Sequence, residues 1–331
     1  MHTTRSRYAF LVLTLLTVDG CNGGTSSSPG LLSESQNLAA YVHSGVPLAP
    51  AVHHAVAPQT THPSYSTRGS LVYEADLSES KVNIYKTRLL AYNPAPFKQI
   101  SVAKGCPLAV VADTEGTIYV ADNCDGNDVE EYAKGSTRLL RSITTGISNP
   151  QGLAIDQSQN LYVAGGSPSS ITVYKLGATT PFETITGGGL TNPNGLAVDS
   201  SGNLYIADRG ASTVFEVEAG TTTVSNLNLA GLTDPVGVAV DQKRNFLWVT
   251  DFIGNKTQVY KIGQTTPFKT VPGTDEPYAI SVENVGKPLG EVVISDITLN
   301  AFFAYKRGTY TPYAKVTSGV ENPQGILVTQ P

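Results

Sequence analysis

From Leu71 onward, short runs of branched and aromatic residues alternate with clusters of glycine, asparagine, aspartate and serine. The runs come in a fixed order. "GLAVD" (Gly195–Asp199) leads through a Ser/Gly/Asn turn to "LYIAD" (Leu204–Asp208), and the unit before it continues through "ITVYKLG" (Ile171–Gly177) and "TPFETIT" (Thr180–Thr186). β-Branched and aromatic runs of this length, bounded by turn residues, predict strands. None supplies the ten or more helix-forming residues that a helical repeat needs. Each unit therefore predicts four short antiparallel strands.

The units repeat along the chain. The proline of an "NP"-type turn falls at Pro107, Pro150, Pro193, Pro235, Pro277 and Pro323, at intervals of 43, 43, 42, 42 and 46 residues. Periods near 40–45 belong to propellers or helical repeats, and the strand pattern selects a propeller blade. The "LYIAD" element occurs six times, at 71–76, 118–122, 161–165, 204–208, 247–251 and 292–296. The first copy has no "GLAVD" strand before it, and the last such strand, "GILVT" (Gly325–Thr329), has no partner after it. The expected fold is all-β: a six-bladed β-propeller of four-stranded antiparallel blades, its ring closed by the C-terminal strand joining the first blade. In such a ring each blade covers the next, so the repeated residues are a packing code. Asp113, Asp156, Asp199, Asp241 and Glu283 follow the first strand, and Asp76, Asp122, Asp208, Asp251 and Asp296 end the second. Aspartate at a turn bonds local backbone, and Gly165 holds the second position in one unit, so both ladders are expected to be structural.

The units "NPNGLAVD" and "GNLYIAD" resemble those of NHL-type six-bladed propellers, especially exported bacterial ones, over about Gly69 to Pro331. The resemblance implies the fold and leaves the activity open, since one fold hosts unrelated functions.

The first residues have a different character. His2, Arg5 and Arg7 flank the start of "YAFLVLTLLTV" (Tyr8–Val18), an apolar run of signal-peptide length, too short to span a bilayer comfortably. Residues 1–20 are expected to be a signal peptide. "VDGC" resembles a bacterial lipobox, which implies a lipidated Cys21 as the mature N-terminus; ordinary cleavage nearby is the alternative. Asn22 then favours the outer membrane. Residues 21–66, rich in Gly, Ser, Pro and Thr, predict a flexible tether, lipid-anchored or free, with a reach on the order of 35–40 Å, and residues 67–331 the propeller. His53 and His54 fall in that tether. Export favours a bridge between Cys106 and Cys124, which the antiparallel order brings to one face. Charged residues make up only 15% and the formal net charge is -5, which argues against a nucleic-acid partner.

The same antiparallel order places the turn before each innermost strand and the turn after each second strand at one mouth of the central channel. A first ring there is Cys106, Asn149, Asn192, Asp234, Glu276 and Asn322; a second is Leu108, Gln151, Asn194, Val236, Tyr278 and Gln324. Calcium lactonases on related propellers place an acid and amides at such positions, and calcium wants six to eight oxygens, carboxylates among them. The second ring has no carboxylate, and the five histidines (His2, His43, His53, His54 and His62) all precede the blades. No catalytic residue, metal ligand set or cofactor is therefore expected. The candidate ligand-binding residues are Asn149, Gln151, Asn192, Asn194, Arg209, Asp234, Asp251, Glu276, Tyr278 and Gln324. They suit a polar ligand: a protein, a peptide or a glycan. The expected function is a non-enzymatic binding or scaffold module at the bacterial cell envelope, touching membrane only through its lipid. The alternative is a metal-dependent hydrolase or lyase of the gluconolactonase or strictosidine-synthase-like propeller kind.

Overall fold

The computed structural model describes residues 69–103, 105–124, 127–284 and 291–329. The expected signal segment, the tether and Cys21 lie outside the described residues. Every strand but one closing strand falls into its blade in chain order. Blade one has β1 (Leu71–Asp76), β2 (Lys81–Lys86) and β3 (Lys98–Ser101). Blade two has β4 (Pro107–Ala112), β5 (Ile118–Asp122), β6 (Asp128–Tyr132) and β7 (Leu139–Ile143). Blade three has β8 (Pro150–Ile155), β9 (Leu161–Gly166), β10 (Ser169–Tyr174) and β11 (Glu183–Ile185). Blade four has β12 (Pro193–Val198), β13 (Leu204–Asp208), β14 (Thr213–Val217) and β15 (Val224–Asn226). Blade five has β16 (Pro235–Asp241), β17 (Phe246–Asp251), β18 (Lys256–Lys261) and β19 (Lys269–Val271). Blade six has β20 (Pro277–Val282), β21 (Glu291–Asp296), β22 (Ala301–Lys306) and β23 (Ala314–Val316). The innermost place in blade one is filled by β24 (Pro323–Val328), which gives six four-stranded sheets.

The closing strand is antiparallel to β1, with Val72 opposite Val328 and Glu74 opposite Ile326. The junction is extended at both ends, since Leu77 donates its N–H to the Asn322 carbonyl at 3.0 Å and Thr329 donates to that of Leu71 at 2.9 Å. A short 3-10 helix, Thr87–Tyr92, adds an outer clasp. Asn93, which caps it in the left-handed region, accepts the Thr317 and Ser318 N–H groups of blade six at 2.8 and 3.2 Å.

A blade has two apolar faces and covers neither alone, so the cores lie between blades. Val72 and Tyr85 of blade one pack with Val293 and Phe302 of blade six, and Trp248 and Val259 of blade five pack with Ile280, Ile294 and Phe303 of blade six. The closing junction thus has the same kind of core as the others. Each fully buried side chain of this size is worth roughly 1.5–3 kcal/mol, against about 1 kcal/mol net for a hydrogen bond. Burial therefore dominates the ring's cohesion. The tyrosines near the ends of the third strands do both. Tyr85, Tyr132, Tyr174 and Tyr260 are buried, and their hydroxyls donate to carbonyls of the preceding blade: Ser318, Ser101, Thr145 and Ala230. A buried tyrosine needs such a partner. The following lysines lie over aromatic rings at the start of the fourth strand, Lys175 at 4.0 Å from Phe182 and Lys261 at 5.3 Å from Phe268.

Candidate ligand-binding mouth

The second strand ends beside the start of the first in every blade. Asp76 pairs with Pro323, Asp122 with Pro107, Asp208 with Pro193, Asp251 with Pro235 and Asp296 with Pro277. The two turns expected to converge therefore share one face. A channel of about 240 Å³ runs between the innermost strands, and all six residues of the second ring line it: Leu108, Gln151, Asn194, Val236, Tyr278 and Gln324. One residue further in, neighbouring strands approach so closely that only glycine or alanine fits. A Cβ on Gly152 would lie 1.8 Å from the Asn194 carbonyl oxygen, and one on Gly237 would lie 2.5 Å from that of Tyr278. Below this waist the wall is aliphatic, with Leu153, Leu196, Val238 and Ile326 among its residues. The first ring lies outside the channel wall, on the rim.

Two "NPQG" segments build the same local device. Gln151 donates its amide to Asn149 Oδ1 at 3.0 Å, and Gln324 donates to Asn322 Oδ1 at 2.9 Å. Asn194 donates to Gln151 Oε1 at 3.4 Å, linking blades three and four. Across the mouth, Arg209 forms a forked pair with Asp234, Nε to Oδ1 at 3.0 Å and Nη2 to Oδ2 at 2.8 Å. Those bonds raise the arginine further above its ordinary value. The guanidinium lies 5.4 Å from the Phe252 ring centre, and Phe252 meets Tyr278 edge-on at 5.9 Å. Arg209, Asp234, Phe252 and Tyr278 thus form one continuous wall drawn from blades four, five and six. Glu276 accepts the Thr298 hydroxyl on the rim of blade six.

The structure does not bring every candidate to the opening. Asp251 is fully buried, and its carboxylate accepts N–H groups from Thr233, Asp234 and Gly254. Asn192 donates its own N–H to Asp208, which also accepts from Thr191 and Ala211. The strand-end aspartates are therefore backbone clamps that tie the rim loops to the blades, and Asp251 holds the mouth without facing a ligand. Phe252 and Ile253, by contrast, are absent from the sequence-derived set. Ile253 is 65% exposed on the rim. The signal for both was the pair of adjacent apolar residues in "DFIGN", where the corresponding turns carry at most one apolar residue directly after the strand, Leu77 or Ile297.

Cys106 and Cys124 are bridged, with Cα atoms 5.2 Å apart. Both of their N–H groups point to Asp122 Oδ1, at 3.3 and 3.2 Å. Beside this corner, Asp122, Asp128 and Glu130 place carboxylate oxygens within 4.8 Å of one another, all buried. Three carboxylates at that spacing have the donor chemistry for a cation. Burial raises the Glu130 pKa, opposed by the Tyr132 hydroxyl and the Ala103 N–H that it accepts. The acid-rich "DNCDGNDVEE" was the sequence signal.

A family model for the NHL repeat matches residues 190–216, the span of β12 to β14. A chain in a crystal structure of a nidogen/laminin complex superposes with a TM-score of 0.61 at 17% identity, over 78% of this chain and 98% of that one. At that identity the likeness is one of fold. No curated protein matches the chain. The protein is a six-bladed β-propeller whose fourth blade carries an NHL repeat.

Proposed function

We propose that this propeller is a non-enzymatic binding or scaffold module that docks a protein or peptide at the channel mouth. The observation that carries this reading is the wall Arg209–Asp234–Phe252–Tyr278, held in place by a forked ion pair and an edge-on ring contact before any partner arrives. Aromatic and arginine side chains fixed in this way serve as anchors with little ordering entropy left to lose. The amide pairs around the rest of the opening add adaptable hydrogen-bonding groups. The similar chain was crystallised in a nidogen/laminin complex, which supports a protein partner. Location at the bacterial cell envelope, with Cys21 as a lipid anchor, belongs to the same proposal. It is supported by the N-terminal pattern.

The test is a peptide and glycan array probed with the full chain. Phe252→Ala is expected to weaken retained peptides at least tenfold, and Phe182→Ala, on the far face, to leave them unchanged. Ile253→Ser, at an exposed rim position, repeats the test should Phe252→Ala melt early. Binding that survives both mouth variants, or retention of glycans alone, overturns the reading.

A further inference from the structure

The mouth has a charge bias that the net charge of the whole chain, -5, understates. Lys81, Arg209 and Lys256 are the cations among the described residues of this face, and each already faces a carboxylate. Lys81 lies 2.6 Å from Glu79, Arg209 lies 2.8 Å from Asp234 and Lys256 lies 3.6 Å from Asp251. Against them stand the strand-end aspartates of five blades, together with Asp275, Glu276 and Glu321. The strand-end carboxylates are buried and are bonded largely by backbone N–H groups: Asp208 by those of Thr191, Asn192 and Ala211, and Asp76 by those of Glu79, Glu321 and Asn322. Backbone dipoles stabilise a charge without cancelling it. A ring of such charges beneath a concave opening with low-dielectric walls projects a negative field through it. The opposite face mixes signs, carrying Lys86, Lys175, Lys261 and Lys306 at the ends of the third strands beside the turn carboxylates Asp113, Asp156, Asp199, Asp241 and Glu283.

The side-chain amides at the opening can meet an arriving ammonium or guanidinium as acceptors. Gln151 and Gln324 direct amide N–H groups onto Asn149 and Asn322. A side-chain amide has two donors and one oxygen with two lone pairs. Each pair engages one glutamine N–H and one asparagine oxygen, and Asn194 takes a lone pair of Gln151 Oε1, so the opening offers donors and acceptors alike. Phe252 already holds one cation against its ring, the Arg209 guanidinium at 5.4 Å.

Resting on the docking reading above, we infer that the occupant of the mouth is a cationic segment of the partner, presenting lysine or arginine over the channel. Complementary charge of this kind speeds encounter and excludes acidic competitors.

Fluorescein-labelled decapeptides of alternating glycine with lysine, serine or glutamate test it, by anisotropy with the full chain at 20 and 150 mM salt. The lysine peptide is expected to bind at least tenfold tighter than the serine peptide, to weaken at the higher salt, and to lose about fivefold with Asp275→Asn/Glu276→Gln. The far-face Glu218→Gln is expected to leave it unchanged. Equal or tighter binding of the serine or glutamate peptide overturns the inference, and if Phe252→Ala still weakens that binding the docking reading stands. Lysine-peptide binding that Glu218→Gln weakens as much as the mouth variant, or the absence of lysine-peptide binding, also overturns it.

Discussion

Asp208 accepts from the N–H groups of Thr191, Asn192 and Ala211 and from the Thr191 hydroxyl, all within 3.0 Å. Removing the carboxylate strands several buried donors at once. Asp208→Ala is expected to cost about 3 kcal/mol or more, and to lower the melting temperature on the order of 6–12 °C for a domain of this size. A change within a degree or two would mean that the rim loops hold themselves. Glu74 is the opposite case, since burial raises its pKa well above the ordinary 4.5, and Asn83 is the partner that opposes the shift. A carboxyl whose folded value is raised adds stability below its unfolded value, and that contribution is lost as pH climbs toward the folded value. Glu74→Gln removes the ionisation while keeping an acceptor for Asn83. Its melting temperature is expected to gain on the wild type between pH 4 and pH 8; a constant gap would contradict the assignment. At this scale the sequence was only partly legible. The clamp role of the aspartates followed from their repetition, but that same burial hid the fact that Asp251 cannot face a ligand. Phe252 was missed because a lone aromatic in a turn has no period to mark it.

Strands are the most legible elements, because a half-buried pleat forces a repeat of two and a blade forces a repeat near 43. Their order, their count and the pairing of β24 with β1 agree with the expectation from "GILVT" and "LVYEAD". The 3-10 helix at Thr87–Tyr92 was not expected, since it occurs in one blade and owes its place to the Asn93 clasp rather than to a pattern. The glycines of the innermost strands recur with the repeat, and the structure shows the contact that demands them. Gly152→Ala drives a methyl into the Asn194 carbonyl, which lies 1.8 Å from the ideal Cβ position. Overpacking against backbone is expected to cost about 2–3 kcal/mol, read as a lower midpoint in urea at unchanged slope. A variant as stable as the wild type would place the waist of the channel elsewhere.

At the scale of the molecule, the ring makes a mouth that no single blade contains. Arg209, Phe252 and Tyr278 come from three successive blades, and their contact depends on the packing of the junctions between them. That the repeat makes a ring was readable in the sequence; which side chains meet across the ring was not, because the repeat says nothing of contacts between its copies. The central claim is that partners dock on this face, and site-specific photocrosslinking tests it most directly. With p-benzoylphenylalanine at position 253 on the mouth rim, or at position 182 on the far face, array-selected peptides are expected to crosslink from 253 and not from 182. Crosslinks from 182, or equal yields from both, would contradict the account.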